Sequence, residues 1–315
     1  MLHAYHKLSD IAPTLTASAV AIGNFDGCHL GHMALLQSMI HSANSHRLTP
    51  TVLTFYPHPV EVLNPSKKLE RLTTASEKLS ILESLGVERI LVEEFNTRLA
   101  SLSPEEFFIR YLREGLRAKS IHVGFNFRFG KHRAGDIHIL ERLCQASDIR
   151  LEVKEPVEIS GMKVSSSVIR ELILKGETLQ AAQLLGRPYF LSGQVSHGAE
   201  RGKPLGFPTA NLHYSSEKVL PKNGVYATRV AWQKQSFPSV TNIGVRPTFN
   251  AAGLPVTVEV HLIDFNARLY DEFLQLEFFE RIRDEIKFDS PDALKKQIEK
   301  DIAVVRKSKI FGVEP

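Results

Sequence analysis

The chain has 315 residues, 43% of them hydrophobic, and its 39 basic and 35 acidic side chains leave a net charge of +4. This length predicts about two domains, each large enough to bury a core. The interleaving of opposite charges argues against a nucleic-acid-binding protein, and no apolar run approaches the length of a membrane span. Two cysteines, Cys28 and Cys144, and a start without a signal-peptide core predict a cytoplasmic protein without disulfide bonds.

The first distinctive stretch runs from Gly23 to His32 and contains three glycines and two histidines. It follows the apolar run 17–22, which has the length of a strand, and it precedes residues 33–46, whose apolar positions have helical spacing. A strand-to-helix turn of this kind presents backbone N–H groups at the carboxyl edge of a sheet and favours a bound phosphate. Its glycine spacing fits neither the P-loop nor the dinucleotide-binding fingerprint.

The turn ends in His29-Leu30-Gly31-His32. This order resembles the HxGH signature of nucleotidylyltransferases, in which the histidines stabilise charge on the α-phosphate of ATP while pyrophosphate leaves. On spacing alone, two other interpretations remain open. The stretch could be a glycine-rich helix start with two solvated histidines, or it could be half of a metal site.

The rest of the first half alternates helix and strand signals. Capping boxes at Thr74–Glu77 and Ser103–Glu106 predict two helices, which Gly86 and Gly115 close. The later predicted strands are 51–55, 89–92, 120–123 and 150–153. Repeated βα units predict a Rossmann-like, doubly wound parallel sheet whose polar loops face one crevice.

Three polar clusters follow these strands or begin a helix. They are residues 54–59 with His58 between two prolines, residues 123–133 with Asn126 among three phenylalanines, and residues 164–170 with three serines and an arginine. Each has a simpler interpretation. His58 and Asn126 could be turn residues, the phenylalanines could be core or loop anchors, and the serines could be an ordinary N-cap.

Together, and in this order, the four clusters resemble the signatures of the adenylyltransferase half of bacterial bifunctional riboflavin kinase/FAD synthetases. The resemblance implies a catalytic role for His29 and His32, FMN contacts for His58 and Asn126, and a metal contact as a second role of Asn126. The residues implied to bind ATP are Gly23, Phe25, Asp26, Gly31, Ser165, Ser166 and Arg170. Three positions depart from the common pattern: Cys28 replaces a small apolar residue, Asn126 stands where aspartate is also common, and Ser167 replaces threonine.

From Tyr189 onward the sequence changes to short strands and turns, so the predicted domains are 1–185 and 186–315. About six strand-like runs predict a closed antiparallel six-stranded β-barrel. Asn223-Gly224 predicts a tight hairpin before residues 225–230. Ser290 followed by Pro291 predicts a C-terminal helix that packs on the barrel.

Three polar residues of this half could take part in chemistry. Thr209 and Asn211 offer oxygen ligands of the kind that Mg²⁺ accepts, although this stretch alone favours a proline-initiated turn with self-bonding polar side chains. Glu259 alternates with valines, as expected for the solvent-facing side of a half-buried strand.

The segments 207–211, 241–248, 258–261 and 281–288 resemble the flavokinase half of the same family. The resemblance implies that Thr209 and Asn211 bind Mg²⁺ and ATP, and that Glu259 removes the proton from the ribityl 5′-hydroxyl. It also implies a flavin contact for Arg283. The glycine loop departs from the family at Ala199-Glu200, where Gly-Arg is common, so Arg201 and Lys203 would supply the charge for the ATP phosphates. Asp271 stands where glycine is usual.

The resemblance covers nearly the whole chain and predicts a bifunctional enzyme. The barrel would phosphorylate riboflavin to FMN with ATP, and the first domain would transfer AMP from a second ATP to FMN, giving FAD and pyrophosphate, with Mg²⁺ serving both reactions. Two alternatives remain open: a nucleotidylyltransferase acting on pantetheine or nicotinamide phosphates, and a non-catalytic flavin or nucleotide sensor, for which the basic pI suggests RNA as a partner. We expect small-molecule partners and neither a nucleic acid nor a membrane.

Overall fold

The computed structural model describes residues 2–11, 16–66, 68–196, 206–245 and 256–308. The chain divides into two compact units, Met1–Ser166 and Ser167–Pro315. The predicted boundary at Gly186 concerns where one activity ends and the other begins, and it stays a prediction. None of the helices in the described ranges combines the length and the apolar composition that crossing a bilayer requires.

The first unit contains a six-stranded sheet in the order β1-β4-β3-β2-β5-β6, and every neighbouring pair is parallel. Its strands are β1 His3–Tyr5, β2 Ser18–Ile22, β3 Thr49–Tyr56, β4 Arg89–Glu94, β5 Ala118–Gly124 and β6 Arg150–Lys154. A short hairpin, β7 Glu158–Ile159 and β8 Met162–Lys163, follows the sheet. The prediction of a doubly wound parallel sheet is confirmed.

Helices connect these strands, and both predicted capping boxes are present at Thr74 and Ser103. The helices are α1 Leu30–His46, α2 Pro59–Leu63, α3 Ala75–Ser84, α4 Thr97–Ala100, α5 Pro104–Phe107 and α6 Ile137–Ala146. The helix that Ser103 begins differs from prediction, since it continues from Phe108 to Gly115 as a π-helix. Helices α2, α4 and α6 were not predicted, although Asp136 caps α6.

Each face of the sheet packs a separate apolar cluster, because successive strand residues point to opposite faces. On one face, Val20 and Ile121 pack with the segment 107–116 and with α6. On the other face, Ala19 and Ala21 pack against the buried side of α1. β2 is buried along its whole length, so the turn that follows it starts from a rigid support.

The strand order reverses direction between β2 and β5. In doubly wound sheets, ligands bind at the carboxyl ends of the strands at such a reversal. The turn after β2 and the loop after β5 both start there, which places two of the predicted polar clusters at the same point of the sheet.

The second unit contains a closed barrel in the order β10-β13-β12-β11-β14-β9, with antiparallel pairing throughout. Its strands are β9 Tyr189–Ser196, β10 Ala210–Tyr214, β11 Gly224–Trp232, β12 Gln235–Val245, β13 Val256–Leu262 and β14 Phe273–Arg283. Its helices are α7 Ser166–Lys175, which begins at the last residue of the first unit, α8 Thr178–Leu185 and α9 Pro291–Lys307. The prediction of a six-stranded barrel with a C-terminal helix is confirmed.

The hairpin predicted at Asn223-Gly224 is wrong. Residues 215–223 join β10 to β11, which are not neighbours in the barrel, so no hairpin forms there. The tight hairpin lies at Gln233 and Lys234 between β11 and β12, where φ is +48° and +65°. Positive φ at both central residues is the geometry of a two-residue turn that matches the twist of the strands.

Helix α9 packs on the barrel as predicted. Ser290 caps it by accepting a hydrogen bond from the Ala293 N–H at 3.2 Å. Ile302 and Val305 of the helix pack against Val225 of β11 and its neighbours.

A buried polar network joins α1 to the sheet beneath it. His122 on β5 is fully buried, and its ring contacts Ser120 Oγ at 2.6 Å, Ser38 Oγ at 3.2 Å and Glu152 Oε2 at 3.3 Å. Burial lowers the pKa of His122 to about 4, although the Glu152 carboxylate acts in the opposite direction. The imidazole is therefore neutral in the folded protein at neutral pH.

This network predicts a loss of stability in acid. The unfolded chain binds a proton at His122 below pH 6.5, whereas the folded chain does so only near a pKa of about 4. Stability is therefore complete above pH 6.5 and falls as the pH falls toward 4, by about 2 kcal/mol at pH 5. Replacing His122→Gln should remove this part of the pH dependence.

Amide hydrogen exchange of β5 at pH 5 and pH 8 is the suitable measurement, with intrinsic exchange rates subtracted. The single tryptophan, Trp232, belongs to the barrel and does not report on this unit. An equal pH dependence in wild type and His122→Gln would contradict the assignment.

Candidate active sites

The turn after β2 holds an unusual backbone path. Phe25, Gly27 and Cys28 have φ of +52°, +81° and +40°. Left-handed conformations cost energy for residues other than glycine, and they persist where the surroundings fix them, commonly at functional sites. Residues 25–29 are buried, so the turn is fixed on its inner side.

His29 is the N-cap of α1. Its Nδ1 accepts a hydrogen bond from the His32 N–H at 3.2 Å, which satisfies one of the free N–H groups of the first helical turn. Because Nδ1 is the acceptor, the proton of the neutral ring is on Nε2. The rings of His29 and His32 stack at 3.6 Å with an angle of 13° between their planes.

His32 lies between the His29 ring and the edge of Phe25, whose ring centre is 5.3 Å away. Its Nδ1 is buried and has no hydrogen-bond partner within the described ranges. Burial, followed by the charges of His29 and Lys78, holds the pKa of His32 well below its usual value. His32 is therefore a neutral imidazole, and since a proton on Nδ1 would lack an acceptor, the proton is on Nε2.

Asp26 fixes the turn from inside. Its carboxylate accepts hydrogen bonds from the Leu72 N–H at 3.0 Å and from the Thr73 N–H at 3.1 Å. The Gly27 N–H donates to Thr73 Oγ1 at 3.1 Å. The Asp26 side chain thus ties the turn to the loop before α3, a role that the sequence did not suggest, and its predicted ATP contact stays a prediction.

The serine segment lies against the same turn. The Ser166 hydroxyl donates to the Asp26 carbonyl at 2.8 Å. A Cβ on Gly31 would lie 3.2 Å from the His29 ring and 3.8 Å from the Val164 carbonyl, so a side chain there would crowd the space between the two motifs. Ser165 is partly buried, whereas Arg170 belongs to the second unit and its part in this site stays a prediction.

His58 lies beside the turn and caps α2. Its Nδ1 accepts from the Val60 N–H at 3.2 Å, and its Nε2 is 2.9 Å from the Asn24 amide nitrogen. The structure therefore joins the second predicted motif to the first through Asn24. Asn126, in the loop after β5, is exposed, and its predicted roles are not settled by this position.

The three phenylalanines around Asn126 have different environments. Phe129 is buried and Phe127 stacks on it at 5.4 Å, so the interpretation of these two as core residues is confirmed. Phe125 is 37% exposed, and the Lys163 ammonium group lies 4.4 Å from its ring centre.

Sequence reasoning missed Lys78 of α3. Its Nζ donates to the Asn24 carbonyl at 3.1 Å and to Thr54 Oγ1 at 3.4 Å. Burial lowers the pKa of this lysine, although Cys28 and Asp26 act in the opposite direction. The capping box predicts the helix, but no local feature of the sequence indicates that the side chain of Lys78 contacts the turn after β2.

In the barrel, the strand register places three polar residues in one row. Two of them, Asn211 and Glu259, are predicted site residues, and the third is Asn242. Asn211 of β10 and Asn242 of β12 both lie directly opposite Glu259 of β13. Directly opposed residues share a face of the sheet, with Cβ atoms about 5 Å apart. Val258 and Val260 are buried while Glu259 is partly exposed, so the row lies on the outer face of the barrel.

The segment before Thr209 is held by His261, two residues beyond Glu259. His261 Nδ1 lies 2.9 Å from the Pro208 carbonyl, and its ring meets that of Phe207 edge to face at 5.5 Å. The chain segment that carries Thr209 and leads into Asn211 is therefore held in place by His261. The signal for His261 was present in the sequence, since it alternates with Glu259 on the same strand.

Arg283 and Glu285 lie at the end of the row formed by Asn242. Arg283 forms an ion pair with Asp301 of α9 at 2.8 Å, so its guanidinium has a structural partner, and its flavin contact stays a prediction. Glu285 Oε1 accepts from Asn242 Nδ2 at 3.4 Å and lies where a Cβ on Gly244 would be. Arg201 and Lys203, and with them Ala199-Glu200, lie outside the described residues.

The described part of the chain has no group of three or more histidine, cysteine, aspartate or glutamate side chains placed to hold a metal ion. This finding leaves no support for half of a metal site at His29 and His32. The side-chain oxygens of Thr209 and Asn211 are of the donor type that a hard cation such as Mg²⁺ accepts together with water and phosphate.

Comparison with known proteins gives matches along both units. A family model described as FAD synthetase matches residues 11–168, and one described as riboflavin kinase matches residues 185–309. A bifunctional riboflavin kinase/FMN adenylyltransferase from Buchnera aphidicola is 36% identical over 98% of both chains. A protein of the same name from Escherichia coli K12 is 37% identical over 99% of this chain and 98% of that one.

Among solved structures, one called a macrolide-efflux protein, from Streptococcus pneumoniae, covers 98% of this chain and 99% of its own. Its TM-score is 0.88 at 33% sequence identity. The two chains therefore share their fold over nearly their whole length.

The environment of His32 can be tested by NMR. We expect its imidazole to stay unprotonated through the usual range of histidine titration, because burial, followed by the charges of His29 and Lys78, holds the pKa of His32 well below its usual value. The signal is assigned by its loss in His32→Gln. A titration midpoint at or above the usual histidine value would contradict a neutral ring.

Proposed function

The chain belongs to the bifunctional riboflavin kinase/FMN adenylyltransferase family, and from this premise we propose which residues perform each reaction. The enzyme phosphorylates riboflavin to FMN with ATP and adenylylates FMN to FAD with release of pyrophosphate. The family identifies FMN as the acceptor in preference to pantetheine or nicotinamide phosphates. It also identifies an enzyme in preference to a non-catalytic sensor.

Adenylyl transfer is assigned to the turn after β2. An oxygen of the FMN phosphate attacks the α-phosphorus of ATP, and the bond from that phosphorus to the pyrophosphate oxygen breaks. His29 and His32 donate from their Nε2–H groups to the phosphate oxygens, where charge develops in the transition state. The observation that supports this assignment is the stacked pair, in which the two rings lie 3.6 Å apart at the start of α1 and the His29 Nδ1 is already an acceptor.

Other residues of this unit bind the two substrates. The backbone N–H groups of Phe25 and Gly31, at and before the start of α1, are assigned to the ATP phosphates. The Gly23 N–H already donates to the Leu53 carbonyl at 3.1 Å, so Gly23 is assigned to close approach of the nucleotide and not to donation. Ser165 and Ser166 extend this surface, and we assign Arg170 to the same phosphates. His58 and Asn126 contact the FMN phosphate or ring, which the proximity of His58 to Asn24 supports.

Phosphorylation of riboflavin is assigned to the outer row of the barrel. The Glu259 carboxylate accepts the proton of the ribityl 5′-hydroxyl as that oxygen bonds to the γ-phosphorus, and ADP leaves. The register that places Glu259 opposite Asn211 supports this assignment, since it puts a base beside a residue for the nucleotide. Arg201 and Lys203 remain candidates for the ATP phosphates, and Arg283 for the flavin.

Mg²⁺ fits the donors in the barrel. Thr209 and Asn211 offer neutral oxygens next to a carboxylate, and His261 holds the Thr209 segment in place. We propose that these two residues hold Mg²⁺, which offsets the phosphate charge when bound. A second metal contact at Asn126 and a location in the cytoplasm are further proposals, the latter supported by two cysteines that form no disulfide bond.

Mutation should separate the two activities. We expect His32→Ala to lower FAD formation at least about 100-fold and to spare FMN formation, because one donor to the transition state is lost. Glu259→Ala should lower FMN formation about 100-fold or more and spare FAD formation from added FMN. Chromatography of the flavins, with riboflavin or FMN supplied separately, measures both. If either single change abolished both activities in a folded protein, two independent sites would be wrong.

The metal assignment predicts a change in cation requirement. Thr209→Ala should raise the Mg²⁺ concentration needed for half-maximal FMN formation about tenfold. Thr209→Ser keeps the hydroxyl and serves as the matched control, and FAD formation should respond to neither change. An unchanged Mg²⁺ dependence in Thr209→Ala would rule out a contact through the hydroxyl.

A further inference from the structure

Lys78 is a charged side chain that neither reaction has used so far. It lies on α3, and its ammonium group reaches the turn that follows β2. Its two acceptors are themselves connected, since Thr54 Oγ1 also donates to the Asn24 carbonyl, at 3.3 Å. Lys78, Thr54 and Asn24 therefore form one closed set of contacts that joins α3 and β3 to the turn.

The position of the Asn24 carbonyl affects two neighbouring parts of the site, the Phe25–His32 contact and His58. The next residue, Phe25, has φ of +52°, and its ring supports His32. The Asn24 side chain contacts His58. A cation that holds this one carbonyl therefore fixes the residue through which two of the predicted motifs meet.

The charges around Lys78 and His32 give the contact a second effect. Lys78 faces Cys28, Asp26 and Arg71, while the imidazole of His32 faces His29 and Lys78. A positive charge at this place opposes protonation of either stacked ring. The same charge stabilises the lone pair on the unprotonated Nδ1 of His32, which is buried and has no hydrogen-bond partner in the described ranges.

We propose that Lys78 is a positioning residue for adenylyl transfer, which holds the Asn24 carbonyl and keeps His32 in the neutral form that donates from Nε2. The proposal rests on the assigned function of His32. It distinguishes two tasks of one ammonium group: a geometric task, which needs its hydrogen bonds, and an electrostatic task, which needs only its charge.

Two substitutions separate these tasks. Lys78→Met removes the charge and both hydrogen bonds at similar length, whereas Lys78→Arg keeps the charge but cannot place a compact ammonium group between the two oxygens. Lys119→Met, at an exposed position of the same unit, is the matched control. The full-length enzyme is used, and hydrogen exchange of β2 and β5 confirms that the first unit is folded.

The first readout is the rate of FAD formation from FMN and ATP. We expect both Lys78 variants to lower kcat/KM about 10- to 100-fold at pH 8, since misplacement of a catalytic group has effects of this size. Lys119→Met and FMN formation from riboflavin should be unaffected. Wild-type rates in both Lys78 variants would overturn the geometric task.

The second readout is the acid limb of the pH profile together with the NMR titration of His32. In Lys78→Met both should move to higher pH by about half a unit or more, because a neighbouring positive charge that opposes protonation of the ring is lost. In Lys78→Arg neither should move. A uniform loss of activity with unchanged profiles in both variants would indicate a merely structural lysine and overturn the electrostatic task.

The outcome is also separable from failure of the assigned function. If His32→Ala retains wild-type FAD formation, the role of His32 is wrong and the proposal for Lys78 fails with it. If His32→Ala is inactive while Lys78→Met behaves as wild type in both readouts, only the proposal for Lys78 fails.

Discussion

The hydrogen bond from the His32 N–H to His29 Nδ1 is the interaction on which the proposed adenylyl-transfer site depends. It begins α1, fixes the tautomer of His29 and aligns the two rings in a stack. A serine or aspartate would cap the helix as well. Histidine caps it through Nδ1 and carries its second ring nitrogen on the opposite side of the same ring. His29 therefore serves both as the N-cap of α1 and as a proposed donor to the phosphates.

Local signals in the sequence were sufficient for much of the fold. The capping boxes at Thr74 and Ser103 and the cap at Ser290 each depend on residues within one helical turn, and all three are present. The hairpin at Asn223-Gly224 failed because the dipeptide was interpreted without knowing which strands pair. A turn signal in the sequence predicts only that the chain reverses direction. A hairpin also requires that the strands on either side of the turn pair with each other.

The sites were predictable as motifs, but the contacts within them were not. The Asp26 carboxylate binds backbone groups of residues 72 and 73, and Lys78 reaches Asn24, so both depend on separations of about fifty residues along the chain. The row of Asn211, Glu259 and Asn242 exists only in the register of three strands. Composition and spacing identify the residue types, whereas packing decides which of them meet.

Helix α7 has a consequence for how the two activities could be separated in a shorter protein. Ser166 contacts the turn after β2 and is the first residue of a helix whose remaining residues belong to the other compact unit. A cut between the two units would leave Ser166 as a chain end with no helix after it. A shorter protein that kept Ser166 at the start of its helix would therefore include residues of the second unit.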